Sequence, residues 1–230
     1  MKNIAILIGL LCSSSLLFAQ GAIEFVENKG QWDQQVKYRG HVNNGYFFVR
    51  DKGFTVVQQH PEDVAKMQRV KHGDTTGFFI RSHAWNVDFT DANKQSVRST
   101  PELQGEGPLA SYENYFLGND PSRWATACSI YQVVTVSDIY PNIDLRYYSD
   151  AGTLKYDLIV KPGGDPASIA LRYEGVNGLA IKNRELVVST SIGSFRESSP
   201  YTFQPSSQGR KEVPCRYLLK DNLLRFDVGD

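Results

Sequence analysis

Residues 140–163 read YPNIDLRYYSDAGTLKYDLIVKPG, a stretch compatible with little besides a β-hairpin. Ile143, Leu145 and Tyr147 alternate with Asp144, Arg146 and Tyr148, the period of a strand with one buried face. Ser149-Asp150-Ala151-Gly152 supplies the turn, with Gly152 free to take a positive φ. Leu154, Tyr156, Leu158 and Val160 then alternate with Lys155, Asp157 and Ile159 until Pro162-Gly163 ends the run. Such a hairpin belongs at the centre of a sheet. Asp144, Arg146, Lys155 and Asp157 are expected on its exposed face as cross-strand ion pairs.

The rest of the chain repeats this pattern in shorter pieces. Apolar or alternating runs at 22–26, 36–39, 46–49, 54–57, 78–89, 130–136, 169–173, 179–181, 186–188, 200–203, 214–219 and 223–228 are separated by Gly, Asn and Asp. Twelve Tyr and twelve Phe against two Met suit pleated, half-buried surfaces. The expected fold is all-β, an antiparallel sandwich-type packing of many short strands with long polar loops. Residues 60–77 read as an exposed mobile loop with at most a short turn at 61–67, and 91–107 as a second polar excursion. Asp165-Pro166 is expected to cap a single helical turn.

The N-terminus states a destination. Lys2 precedes an apolar run over 4–18, and small Ala19 stands before Gln20 as a signal-peptidase site. The run is shorter than the ~20 residues of a membrane span, and Leu11 is too bulky to precede a lipidated Cys12. The expected organisation is a signal peptide at 1–19 and an exported β-rich domain at 20–230. A subdivision falls near 91–107, and the ending at Asp230, just after a strand, suggests a piece of a longer multidomain protein. No transmembrane segment is expected after cleavage. Cys128 and Cys215 then remain, as one disulfide or as two separately buried thiols.

Zero net charge and no dense Lys/Arg cluster argue against nucleic acid. No local signature of a nucleophile elbow, zinc protease, phosphate loop or EF-hand occurs, so no catalytic residue, metal or cofactor is expected. His60, His72 and Asp74 are better read as solvated loop residues than as metal ligands, and the remaining histidines are His41 and His83. Asp144 and Asp157 have the spacing of a glycosidase pair, but Arg146 and Lys155 on the same face favour structural pairing. Trp32, Tyr115 and Trp124, with Tyr148, offer flat rings for stacking on sugars, in competition with ordinary packing. Asp74-Thr75-Thr76 has the form of a short O-glycosylation signal.

Three stretches carry a resemblance. Phe25-Val26-Glu27-Asn28-Lys29-Gly30-Gln31-Trp32 resembles the F-x-x-N-x-G-Q motif that opens an uncharacterised β-rich domain of Bacteroidota exported surface proteins. Residues 114–124 (NYFLGNDPSRW), 140–148 (YPNIDLRYY) and 154–163 resemble its later signatures, in order. In that family the domain is N-terminal, often followed by β-propeller-type repeats, PKD or other Ig-like domains and a type IX (gliding-motility) sorting domain. The resemblance implies a cell-surface or secreted module without an established activity, and with periplasmic residence open where no sorting signal follows. The function expected is adhesion or assembly without catalysis, with other surface proteins or glycans as partners. A carbohydrate-binding module is the alternative, and a glycan-acting hydrolase a weaker one.

Overall fold

The computed structural model describes residues 4–11, 22–69, 77, 79–91, 101–207 and 209–229. Strand β1 (Ile4–Leu11) is the first apolar part of the expected leader; the cleavage site at Ala19 and Cys12 lie outside the described residues. A meander follows: β2 (Phe25–Glu27), β3 (Val36–Val42), β4 (Gly45–Arg50) and β5 (Gly53–Gln59). Helix α1 (Pro61–Arg69) leads to β6 (Ser82–Thr90), which pairs back onto β5. β7 (Glu102–Tyr115) and β8 (Ala125–Tyr140) are the longest strands, ahead of the hairpin β9 (Ile143–Asp150) and β10 (Thr153–Val160). The remainder is β11 (Ala170–Glu174), β12 (Gly178–Lys182), β13 (Glu185–Thr190), β14 (Gly193–Glu197), β15 (Tyr201–Ser206), β16 (Gly209–Val213), β17 (Cys215–Lys220) and β18 (Leu223–Val228).

Pairing is antiparallel throughout and forms two layers that share β8. One layer runs β2-β3-β4-β5-β6-β11-β18-β17. The other runs β7-β8-β9-β10-β1-β15-β16, and β1 also continues into β14, β13 and β12. Along one edge β8 pairs with β7; along its other edge it pairs first with β2 and then with β9. The layers face each other through aromatic rings. Phe47 and Phe54 from the first meet Tyr147 from the second at ring-centroid distances of 5.3 and 6.1 Å, and Tyr156 lies 6.1 Å from Phe54. This is the sandwich that the alternation predicted.

In the central hairpin Tyr147 stands opposite Tyr156 and Leu145 opposite Leu158. Its turn is tighter than expected, with only Ala151 (φ 49°) and Gly152 (φ 75°) between the strands. Both take the left-handed values of a type I′ turn, whose twist matches that of the strands. The outer face differs in its partners. Arg146 stands opposite Asp157, but Lys155 pairs with Asp150, and Asp144 pairs with Lys161 at 2.7 Å. That face is half-buried, and burial pushes the Asp157 carboxyl up to about 6 despite a 3.1 Å hydrogen bond from Tyr148.

Two polar stretches hold more structure than their composition suggests. Within 60–77, α1 places Glu62 and Asp63 in its first turn and Lys66 and Arg69 in its last, complementing the helix dipole. Arg81 clamps it by donating from Nε to Asp63 at 2.8 Å. Its short length had hidden it from periodicity. β7 begins inside 91–107 because an edge strand needs only backbone pairing, here with apolar β8, and so carries no alternation of its own. β14 and β16 were also unanticipated, for the same reason of length. The expected helical turn at Pro166–Ser168 is present as a 3₁₀ turn, with Asp165 accepting from the Ala167 amide at 2.9 Å.

Tyr140 ties the layers. Its buried hydroxyl lies 2.9 Å from the carbonyls of Thr90 on β6 and Ala170 on β11, and accepts from the Ala170 amide at 3.1 Å. Tyr140→Phe leaves these buried backbone groups short of a partner and is expected to lower unfolding free energy by about 1–3 kcal/mol in urea melts.

Candidate functional site

The opening motif builds a loop rather than a reactive centre. Asn28 spans it, donating from Nδ2 to the carbonyls of Asp33 (2.9 Å) and Val36 (2.7 Å) while Oδ1 accepts from the Gly30 and Trp32 amides. Gly30 adopts φ 108°, which a side chain would resist. Gln31 is buried, accepting from the Lys29 amide at 2.6 Å and donating to the Glu27 carbonyl at 2.8 Å. These bonds use up the polar groups of the motif and aim Trp32 at the sheet.

Trp32 and Tyr115, two of the three aromatics expected as sugar platforms, do come together, edge to face at 5.1 Å. The face they would offer is already covered. The Arg39 guanidinium lies 4.5 Å from the Trp32 ring centre and 5.4 Å from that of Tyr115, and 5.2 Å from Tyr46. Arg39 also donates to the Tyr115 hydroxyl at 2.8 Å, and that hydroxyl donates to Glu113. Cation–π and charge-assisted bonds thus fill the cage from within the chain.

Trp124 stands apart from this cage, on the loop that joins β7 to β8. Its indole nitrogen donates to the Gly118 carbonyl at 3.2 Å, and Asp120 caps the 3₁₀ turn Pro121–Arg123 beneath it. Phe116 meets the indole edge to face at 5.5 Å and 88°. Phe116 is 62% exposed and Trp124 42%, with Leu117 beside them also exposed. Sequence reading singled out Trp124 but not Phe116 and Leu117, whose signal is an apolar pair directly before Gly-Asn-Asp-Pro turn residues. The result is an apolar tip braced by the Trp124 indole bond to Gly118 and by the capped turn beneath it.

A family model for a domain of unknown function, DUF7948, matches residues 25–230. The chain belongs to this family. Its match takes in the Asn28 loop, the aromatic tip and the central hairpin. Comparisons with curated proteins and with solved structures return no match.

Elsewhere this DUF7948 domain offers few reactive groups. A cleft of about 530 Å³ opens between the β3–β4 turn and α1, lined by His41, Asn44, Tyr46, Gln59 and Met67 among others. Among the described residues no carboxylate lines it. Burial holds the His41 imidazole below its ordinary value, with Arg39 adding to the effect. His83 is satisfied on both nitrogens, by the Gly175 carbonyl at 2.7 Å and Ser191 Oγ at 2.9 Å, and His60 lies 3.2 Å from Arg81. His72, Asp74 and the Asp74-Thr75-Thr76 signal lie outside the described residues. Among the described residues no group of His, Cys, Asp and Glu could hold a metal, and no helix is long and apolar enough to cross a membrane. Cys128 and Cys215 are separate buried thiols in two different apolar clusters, so of the two expected arrangements the disulfide is absent from the structure. Asp144 and Asp157, as described, are engaged with Lys161 and Tyr148.

One acid was missed. Glu197, at the end of β14, is 2% exposed and accepts from the hydroxyls of Tyr173 (2.6 Å) and Tyr156 (3.2 Å), one from each layer. Burial pushes its carboxyl up to about 7, against the lowering effect of the two phenols. The 530 Å³ cleft does not reach it. No local pattern marks a Glu between Arg196 and Ser198 as buried.

Two outcomes follow from this geometry. Trp32→Ala is expected to lower stability by about 2–3 kcal/mol because three ring and guanidinium contacts disappear, whereas Trp124→Ala is expected to change it by less than about 1 kcal/mol. Chemical denaturation of both variants checks the contrast. The folded chain holds a proton on Glu197 between pH 4.5 and about 7 that the unfolded chain has released, so its contribution to stability falls as pH rises through that window. Urea melts across it are expected to show Glu197→Gln gaining roughly 3 kcal/mol relative to wild type.

Proposed function

We propose that this DUF7948 domain is a non-catalytic recognition module of an exported cell-surface or secreted protein, serving adhesion or assembly. The observation that carries this reading is the braced apolar tip of Phe116, Leu117 and Trp124. Exposed aromatic and aliphatic side chains held by their own backbone are the usual anchors of protein interfaces, because little side-chain entropy is lost on docking. The leader-like N-terminus and the resemblance to Bacteroidota surface modules, with their type IX sorting domains, support an exported setting. The His83–Ser191 Oγ contact is backed by the Gly175 carbonyl rather than by a carboxylate, which supports a role without chemistry.

The geometry favours a protein partner over a glycan. Sugar platforms present a ring face to the ligand, and the tip rings stand at 88° to each other while Arg39 covers Trp32. An edge-to-face pair forms a wedge that fits a groove better than it covers a pyranose ring. The test uses the exported chain, wild type and Phe116→Ser/Trp124→Ala, against cells of the producing strain and against a glycan array. The expected result is saturable cell binding that protease treatment of the cells abolishes, lost in the double variant, with no glycan signal. Unchanged cell binding by the double variant overturns the tip as the docking site. Saturable glycan binding that depends on Trp124 makes this a carbohydrate-binding module instead.

A further inference from the structure

The most unusual pairing in the fold is that of β1. This strand, which the export reading assigns to a cleaved leader, is not peripheral. It pairs with β10 from Ile4 opposite Val160 to Gly9 opposite Lys155 on one side. On the other side it pairs with β15 through Ala5–Phe203, Ile6–Thr202 and Leu7–Tyr201, and with β14 through Leu10–Glu197 and Leu11–Arg196. It is the strand that joins three others into one layer. Its departure would leave the inner edges of β10, β14 and β15 with unpaired amides and carbonyls, the arrangement that templates another strand.

The walls of this slot are held by contacts that do not involve β1. β10 is paired along its far side with β9, β14 with β13, and β15 with β16. The Tyr156 hydroxyl on β10 reaches Glu197 on β14 beneath the slot, and Tyr173 fixes the same carboxyl from the facing layer. The slot also has a defined parity. Directly opposed residues of antiparallel strands share a face. Positions 4, 6, 8 and 10 of β1 are opposite Val160, Leu158, Tyr156 and Glu197, all buried, and position 6 is also opposite buried Thr202. Positions 5, 7, 9 and 11 are opposite Ile159, Asp157, Lys155 and Arg196 on β10 and β14, none of them buried; on β15 position 7 is opposite exposed Tyr201, and position 5 alone meets a buried residue, Phe203.

We propose that, once the leader is removed, the slot between β10 and β14/β15 is a strand-acceptor site. Its occupant is an extended segment of a partner chain, antiparallel to both walls, apolar at every second residue and tolerant of polar residues between. This rests on the export reading and gives its assembly role a second contact, one made through the backbone.

The experiment starts from the full chain, folded with a protease site placed between Ala19 and Gln20 and then cut. The probe is a labelled peptide of sequence IAILIGLL with lysines at both ends for solubility. It is expected to exchange with the cut leader, to co-elute with the domain, and to raise hydrogen-exchange protection of the amides in 155–160 and 201–203 by about tenfold or more over the leader-free domain. A peptide carrying Ile6→Lys is expected not to bind, and one carrying Leu7→Lys to bind, because the first puts a charge opposite Leu158 and the second opposite Asp157. Absence of exchange, equal loss with both substitutions, or full protection of those amides in the leader-free domain each overturns the proposal. Mass spectrometry of the exported chain separates the two readings. A chain that reaches the medium or surface with residues 1–19 attached fills the slot in cis and overturns the partner strand even if the peptide binds the cut domain. A chain that is not exported at all counts against the export reading, whatever the peptide does.

Discussion

The layers of this sandwich are aligned by the need of buried phenols for hydrogen-bond partners. A tyrosine ring contributes a large apolar surface to a core, but its hydroxyl is costly there unless another polar group meets it. Tyr140 meets backbone carbonyls on β6 and β11, Tyr156 and Tyr173 meet Glu197 from opposite layers, and Tyr217 donates to the Ser198 carbonyl at 2.8 Å. Each of these bonds fixes one strand relative to another that is distant in sequence. Apolar contacts alone would tolerate sliding between the sheets, since they have no direction. Tyr147 shows the other side of the balance: its ring packs on Phe47 and Phe54, and its buried hydroxyl has no hydrogen-bond partner among the described residues.

Glu197 is the point where several of these constraints meet. It closes the phenol network, terminates β14, and stands opposite Leu10 in the strand that bridges β10 to β14 and β15. A buried carboxyl with a raised proton affinity often signals catalysis. Here it is sealed by two tyrosines, and the described cleft opens elsewhere. Its environment explains the raised affinity as a consequence of architecture.

The same economy holds for the residues of the opening Asn-x-Gly-Gln stretch. Asn28, Gly30 and Gln31 are occupied in folding their own loop, and Arg39 occupies the aromatic cage that Trp32 and Tyr115 form. On the proposed reading a partner would meet the apolar tip around Trp124 and Phe116 and, once the leader is removed, the edges beside β1, where shape and backbone geometry matter more than reactive groups.

The alternation at 143–160 determined the hairpin and its buried face from sequence alone, because a period of two leaves no freedom over which side chains point inward; the register was set by the two-residue turn at Ala151-Gly152. Turn residues likewise located the cap at Asp165. Short and edge elements were not legible: β7, β14, β16 and α1 owe their conformation to the neighbours they pair with or are clamped by, and carry too little periodicity of their own. The aromatics show the same division. Trp32, Tyr115 and Trp124 look alike in sequence, yet one pair is capped by Arg39 from a neighbouring strand and the third is left at a loop tip. Nothing local distinguishes them, since exposure depends on what the rest of the chain brings alongside. The burial of Glu197 and the placing of the N-terminal apolar stretch Ile4–Leu11 between β10 and β15 are of the same kind. Both depend on contacts between residues tens to more than a hundred positions apart, which only the tertiary structure brings together.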